Sequence, residues 1–203
     1  LQEGSTHTFD AVGMMAKVTK MSVQLVRTDA AVPTVRGAFA TAQRDVPGPV
    51  FLSLPVDTGA AMTRTSRVQG KSTHALEPEV AACREAFDLL RAASRPLLLA
   101  GAGARDGESR RALLRLAEAI NSPVTVTPKG KGVFPEDHPL YLGVLGFGGH
   151  ESVIGYLHDK PDVVMACGTG LNDFSTNAWS PLLQPSQAFI HVEIDPGRFG
   201  RNY

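Results

Sequence analysis

Cysteine is scarce in this chain: its two copies, Cys83 and Cys167, stand far apart and in no metal-ligand spacing. That excludes a disulfide framework and a thiolate zinc site, and leaves two buried free thiols in a reducing compartment as the expectation. The 6 histidines are scattered, with no pair at helical or finger spacing, so a histidine zinc centre is discounted as well. Net charge is missing too, since 20 Lys+Arg balance 20 Asp+Glu. No global basic field is therefore present to recruit nucleic acid or an anionic membrane. No segment approaches a membrane span, and no amino-terminal targeting signal is read. There is no Gly-x-Ser-x-Gly elbow and no Cys/His pairing of known spacing to suggest a nucleophile. Nor does a Gly-Asp-Gly element or an acidic cluster stand ready to hold Mg²⁺. The first residues, Leu1-Gln-Glu-Gly-Ser-Thr-His7, contain no initiator Met and read as the interior of a longer protein.

What is present is an ordinary globular composition, 43% hydrophobic and 20% charged over 203 residues, enough for one large domain or a domain and part of another. Residues 9–54 read as helix, strand, helix, strand. The helix expected from about Ala30 to Gln43 would turn Val32, Val35, Ala38, Phe39 and Ala42 inward. Thr28 or Asp29 is its candidate cap. Residues 55–77 lack apolar periodicity and are rich in Thr, Ser, Arg, Gln and Gly, a linker composition. A helix over about 79–93 would then point Val80, Cys83, Phe87, Leu89 and Leu90 inward.

From Arg95 onward the pattern is a βαβ series. Apolar strands are expected at 96–100, 123–126, 162–167 and 188–194, with helices at 107–121 and 150–158. Strands without polar alternation expect cover on both faces, so the predicted fold is α/β: a doubly wound parallel sheet of about six strands flanked by helices. A partial α/β domain precedes it. Four of the strands run into loops bearing Gly or Asp: 101–103, 127–132, 168–170 and 193–197. Carboxyl ends of parallel strands share one sheet edge, where open α/β folds bind ligands.

Each glycine turn can equally be structural, because glycine is the residue of sharp turns with or without a ligand. The first one, Gly101-Ala-Gly103, has Asp106 where the dinucleotide fingerprint has a third glycine. Lys129 and Lys131 could neutralise a phosphate or simply be solvated, and Glu193 or Asp195 could hold a ribose. Trp179 reads as a packing anchor near a loop, with ligand stacking as the alternative.

Residues 95–203 resemble the central domain of thiamine diphosphate-dependent enzymes of the acetolactate synthase and 2-oxoacid decarboxylase type. The matching pieces are Arg95-Pro-Leu-Leu-Leu-Ala-Gly-Ala-Gly103, Thr127-Pro-Lys-Gly-Lys-Gly132, Phe134-Pro-Glu-Asp-His-Pro139, Leu145-Gly-Phe-Gly-Gly149, Asp162-Val-Val-Met-Ala-Cys-Gly168 and Glu193-Ile-Asp-Pro-Gly-Arg-Phe-Gly-Arg-Asn202. Residues 9–57 resemble the tail of that family's pyrimidine-binding domain, through Val18-Thr-Lys20 and the run from Arg44 to Asp57. The resemblance implies three segments: residues 1–57 as the C-terminal part of the pyrimidine-binding domain, 58–77 as linker, and 78–203 as the central nucleotide-binding-like domain.

In that family a thiazolium carbanion attacks the carbonyl of a 2-oxo acid, with the cofactor as electron sink. The activating glutamate belongs to the first domain, and the segment binding Mg²⁺ and diphosphate to the third. Neither is found here, so no catalytic residue is assigned and the chain alone is expected to be inactive. Thiamine diphosphate and Mg²⁺ are implied for the parent protein, along with a 2-oxo acid substrate, homo-oligomerisation and a cytoplasmic location. A stand-alone nucleotide-binding or dimerisation module without catalysis is the alternative.

The acetolactate synthase branch holds FAD in its central domain, and oxalyl-CoA decarboxylase relatives hold ADP. By resemblance Gly101, Ala102, Gly103, Thr127, Lys129, Phe147, Gly168, Gly170, Glu193 and Asp195 would line that site. Gly170 stands where flavin-binding relatives carry arginine, and Phe147-Gly-Gly149 where they carry Met-His-Gly. The cleft is therefore expected to exist without retaining FAD tightly, for want of that arginine's charge-assisted contact.

Overall fold

The computed structural model describes residues 9–62 and 77–203. The chain divides into two compact units, Leu1–Leu76 and Glu77–Tyr203. In the first, helix α1 (Ala11–Met15) leads to β1 (Met21–Gln24), α2 (Ala31–Gln43) and β2 (Val50–Ser53), followed by α3 (Val56–Ala60). Strands β1 and β2 pair in parallel, Met21 against Val50 through Gln24 against Ser53. Asp10 caps α1 through its carboxylate and the N–H of Gly13, at 2.8 Å.

Two expectations for this unit are corrected. On α2 only Ala38 is buried, while Phe39 and Val35 of the expected inward face stand exposed. Neither Thr28 nor Asp29 caps α2: they form a short 3-10 turn before it, and Asp29 pairs with Arg27 instead. The segment expected to be linker begins with helix α3, and most of the rest, 63–76, lies outside the described residues.

The second unit is a single parallel sheet. Its elements run α4 (Val80–Ala92), β3 (Pro96–Ala100), α5 (Gly107–Ile120), β4 (Val124–Val126), β5 (Tyr141–Val144), α6 (Glu151–His158), β6 (Val163–Cys167), α7 (Asp173–Thr176) and β7 (Ala188–Val192). The strand order is β5-β4-β3-β6-β7, and every pairing is parallel. Five strands form the sheet among the described residues, against about six expected. β5 stands outside the strands expected from the sequence, and its register with β4 shifts between Val124 and Thr125.

Each residue of β3 is wholly buried because the sheet is covered on both sides. Leu98 and Ala100 face one layer, with Val124, Val126 and Val163, against Leu90 of α4 and Leu113 and Ala117 of α5. Leu97 and Leu99 face the other, with Val164 and Ala166, against Val153 and Leu157 of α6. Burying leucines to this extent contributes about 1.5–3 kcal/mol each, which fixes the strand as the axis of the unit. Only the last turn of α4 reaches that core, so Val80, Cys83 and Phe87 are exposed where an inward face was expected. Cys83 is accordingly not a buried thiol. Cys167 lies at the end of β6, and burial pushes its thiol up to about 12, far from a thiolate nucleophile.

Asp162 ties the entrances of two neighbouring strands together. Its carboxylate accepts the N–H groups of Ser94 at 2.6 Å, Arg95 at 3.0 Å and Val163 at 2.8 Å. Those bonds lock β3 beside β6 in the register Pro96 to Val163.

Candidate functional site

Chain order runs outward from β3 through β4 to β5, then returns to the other side of β3 for β6 and β7. The reversal lies between β3 and β6, the switch point at whose carboxyl edge open α/β sheets carry their ligand crevice. A cleft of about 730 Å³ occupies that position, walled by residues of all the loops that follow β3, β4, β6 and β7.

The loops after β3 and β6 meet backbone to backbone. Gly101 N–H donates to Cys167 O at 2.8 Å, and Gly103 N–H donates to Gly168 O at 2.9 Å. A Cβ on Gly103 would stand 2.7 Å from Gly168 Cα, and one on Gly101 would stand 2.6 Å from Thr169 Cβ. Gly168 has φ +60°, and a Cβ there would lie 2.6 Å from the Ala104 nitrogen. These glycines are thus demanded first by the contact of the two turns, and the backbone they bare at the cleft is its consequence.

The helix behind the first turn does not offer its amino terminus to a ligand. Asp106, in place of the fingerprint's third glycine, accepts from Glu108 N at 3.0 Å and Ser109 N at 2.9 Å, and so caps α5 itself. Hydrogen bonds from Ser109 and from those N–H groups hold its carboxyl below the ordinary range. After β4, Thr127 caps the Pro128–Gly130 turn through Gly130 N–H at 3.0 Å, and Lys129 is carried on that turn at the cleft. Lys131 is drawn off by Glu136, at 2.7 Å.

The opposite wall is the segment from Gly168 to Trp179 and the loop that follows β7. Leu171, Asn177, Ala178 and Trp179 all have positive φ, a concentration of left-handed backbone that only surrounding bonds can maintain. Leu171 O supplies such bonds, accepting Trp179 Nε1–H at 3.1 Å and Asn202 Nδ2–H at 3.2 Å. Trp179 therefore serves as both packing anchor and cleft wall. Beside it Phe174 packs on Phe147, ring centroids 5.0 Å apart, to form an aromatic lip. The loop after β7 is pinned by Phe199 edge-on to His191 and by Tyr203 stacked on Phe189.

Of the residues expected from the sequence, Ala102, Gly103, Thr127, Lys129, Gly168, Gly170 and Glu193 line the cleft. Gly101 sits one residue behind the wall, Phe147 stands outside on Phe174, and Asp195 is turned to Arg198, at 3.2 Å. Sequence reasoning missed Asn172, Phe174, Ser175, Arg198, Arg201 and Asn202 as lining residues. The signal for Arg198 was the Asp195-Pro-Gly-Arg198 turn, which folds the arginine back on its own aspartate. Gly170 does not leave the cleft short of a guanidinium, because Arg198 packs directly on it.

A sequence profile of the thiamine pyrophosphate enzyme central domain matches residues 83–203. The chain is 34% identical over 200 residues to a protein of Methanocaldococcus jannaschii described as a probable acetolactate synthase large subunit, covering 95% of this chain and 34% of that one. It is 31% identical to the acetolactate synthase isozyme 1 large subunit of Escherichia coli K12, covering 95% of this chain and 34% of that one. Among solved structures, benzoylformate decarboxylase from Polynucleobacter necessarius superposes with a TM-score of 0.72 at 26% identity, covering 94% of this chain and 36% of that one. The chain thus spans about a third of the length of the relatives it matches.

Proposed function

Because the chain belongs, through residues 83–203, to the thiamine pyrophosphate enzyme family as a carrier of its central domain, we propose that it forms part of a 2-oxoacid carboligase or decarboxylase, most like acetolactate synthase. The observation that carries this reading is the 34% identity to an acetolactate synthase-type subunit across 95% of the chain, both units included. On the same reading residues 1–57 are the closing part of a pyrimidine-binding domain, 58–77 a linker, and 78–203 the central domain. The parent protein is a cytoplasmic homo-oligomer acting on a 2-oxo acid. The open edges of the two-stranded β1–β2 sheet and the exposed Phe39 and Val56 support further chain packing on the first unit.

Thiamine diphosphate supplies the electron sink in such enzymes. The residues described here do not fit its Mg²⁺-bound diphosphate, since both carboxylates beside the cleft, Glu193 and Asp195, face Arg198 at 3.7 and 3.2 Å. What they fit is a nucleotide. Three cations, Lys129, Arg198 and Arg201, line the cleft, against the carboxylates Glu193 in its lining and Asp195 beside it, and Phe174 and Trp179 add planar surface. The role we assign to residues 78–203 is therefore to hold an ADP-type nucleotide or flavin and to carry no chemistry.

The test is turnover. The 203-residue chain, supplied with thiamine diphosphate, Mg²⁺ and pyruvate, is expected to release no CO₂ above the protein-free rate. The complete protein containing it is expected to consume pyruvate only when thiamine diphosphate is present. Decarboxylation by the 203-residue chain itself would refute the division of labour, and pyruvate turnover by the complete protein without thiamine diphosphate would refute the class of reaction.

A further inference from the structure

Gly170 is unlike the other glycines of the cleft, because what it admits is a side chain. A Cβ built on Gly170 would overlap Arg198 Nη1 and would stand 3.0 Å from Cζ and 3.3 Å from Cδ of the same arginine. Any larger residue at 170 must displace the guanidinium. Arg198 is held there from the other side as well: Nε donates to Asp195 Oδ2 at 3.2 Å, and Nη1 lies 3.7 Å from Glu193 Oε2. The Glu193 side chain is only 7% exposed, that of Asp195 31% and that of Arg198 43%, so the arginine reaches from one buried and one half-buried carboxylate into open cleft.

A guanidinium has five N–H donors, and the two carboxylates engage it through Nε and Nη1. Donors remain for an anion, and Arg201 and Lys129 border the same space. Neither of those two has an ion pair among the described residues. Three cations against the two carboxylates Glu193 and Asp195 leave an excess of positive charge that suits an anionic ligand. The aromatic surface of Phe174 and Trp179 on the same cleft suits a planar ring.

We infer that Arg198, seated on the bare backbone of Gly170, is the residue by which this cleft selects a diphosphate-bearing nucleotide over the uncharged nucleoside, with Gly170 as its positioning residue. The inference rests on the nucleotide reading proposed above and adds to it the device that sets specificity. Adenosine gains nothing from Arg198, whose charge already answers Glu193 and Asp195. A diphosphate gains charge-assisted hydrogen bonds from a guanidinium held in place before binding. Gly170 contributes only by leaving room.

The experiment is calorimetric titration of the 203-residue chain with ADP and with adenosine, on the wild type, Arg198→Gln, Gly170→Ala and the double variant, with thermal melts to establish folding. ADP is expected to bind the wild type more tightly than adenosine. Arg198→Gln should weaken ADP by about ten- to a hundred-fold and leave adenosine unchanged. Gly170→Ala should produce most of the same loss, and the double variant should be no weaker than Arg198→Gln alone, the non-additivity of two residues acting as one unit. Additive losses, or equal weakening of ADP and adenosine, would overturn the inference while leaving the nucleotide reading in place. So would unchanged ADP affinity in Arg198→Gln, a surface substitution expected to fold. If the wild type binds neither compound, the nucleotide reading falls and this inference with it.

Discussion

Gly168→Ala is expected to destabilise the second unit by about 2–5 kcal/mol, combining about 1–2 for an L side chain in left-handed backbone with about 1–3 for overpacking. The residue sits at φ +60° where the β3 and β6 loops touch, and a methyl group would stand 2.6 Å from the Ala104 nitrogen and 2.7 Å from Gly103 C. These neighbours are backbone, so relief requires the two loops to separate, which opens the wall of the cleft. Urea denaturation followed by circular dichroism measures the loss. A change below 1 kcal/mol would mean that the turns are not packed as described. Gly170→Ala is the internal contrast: its obstacle is a flexible side chain, its stability should change little, and its effect should appear in ligand affinity.

Asp162→Ala is expected to cost about 3 kcal/mol or more at the opposite edge of the sheet. It strips the acceptors from three N–H groups, those of Ser94, Arg95 and Val163, where β3 and β6 begin. Asp162→Asn should recover less than half, because its amide nitrogen would meet a backbone donor. The same denaturation assay checks both variants, and equal stability of Asp162→Asn and the wild type would show that the charge and the second acceptor do not matter.

The two variants probe what could and could not be read from the chain. The apolar run Pro96–Ala100 announced a doubly covered strand because no polar residue interrupts it, and the glycines after it and after Cys167 announced the ligand edge. β5 escaped notice because Gly143 breaks its apolar pattern, and its pairing with β4 carries a register shift that no local signal encodes. The stripe Val80, Cys83, Phe87, Leu90 is properly helical, but only Leu90 is buried: periodicity gives a face, while the length of that face that finds cover is decided by the tertiary structure. Gly170 was read as a missing cation for the same reason. The guanidinium that fills its space comes from residue 198, and only the fold brings the two together.

The central claim is that the carboxyl edge of the sheet beside the touching β3 and β6 loops is a nucleotide site. The most direct measurement is an amide chemical-shift titration of the isotope-labelled chain with ADP. The account predicts saturable shifts concentrated at Ala102, Gly103, Thr127, Lys129, Gly168 and Gly170, the residues of the two facing walls. No shift at millimolar ADP, or shifts confined to α4 and the first unit, would contradict it.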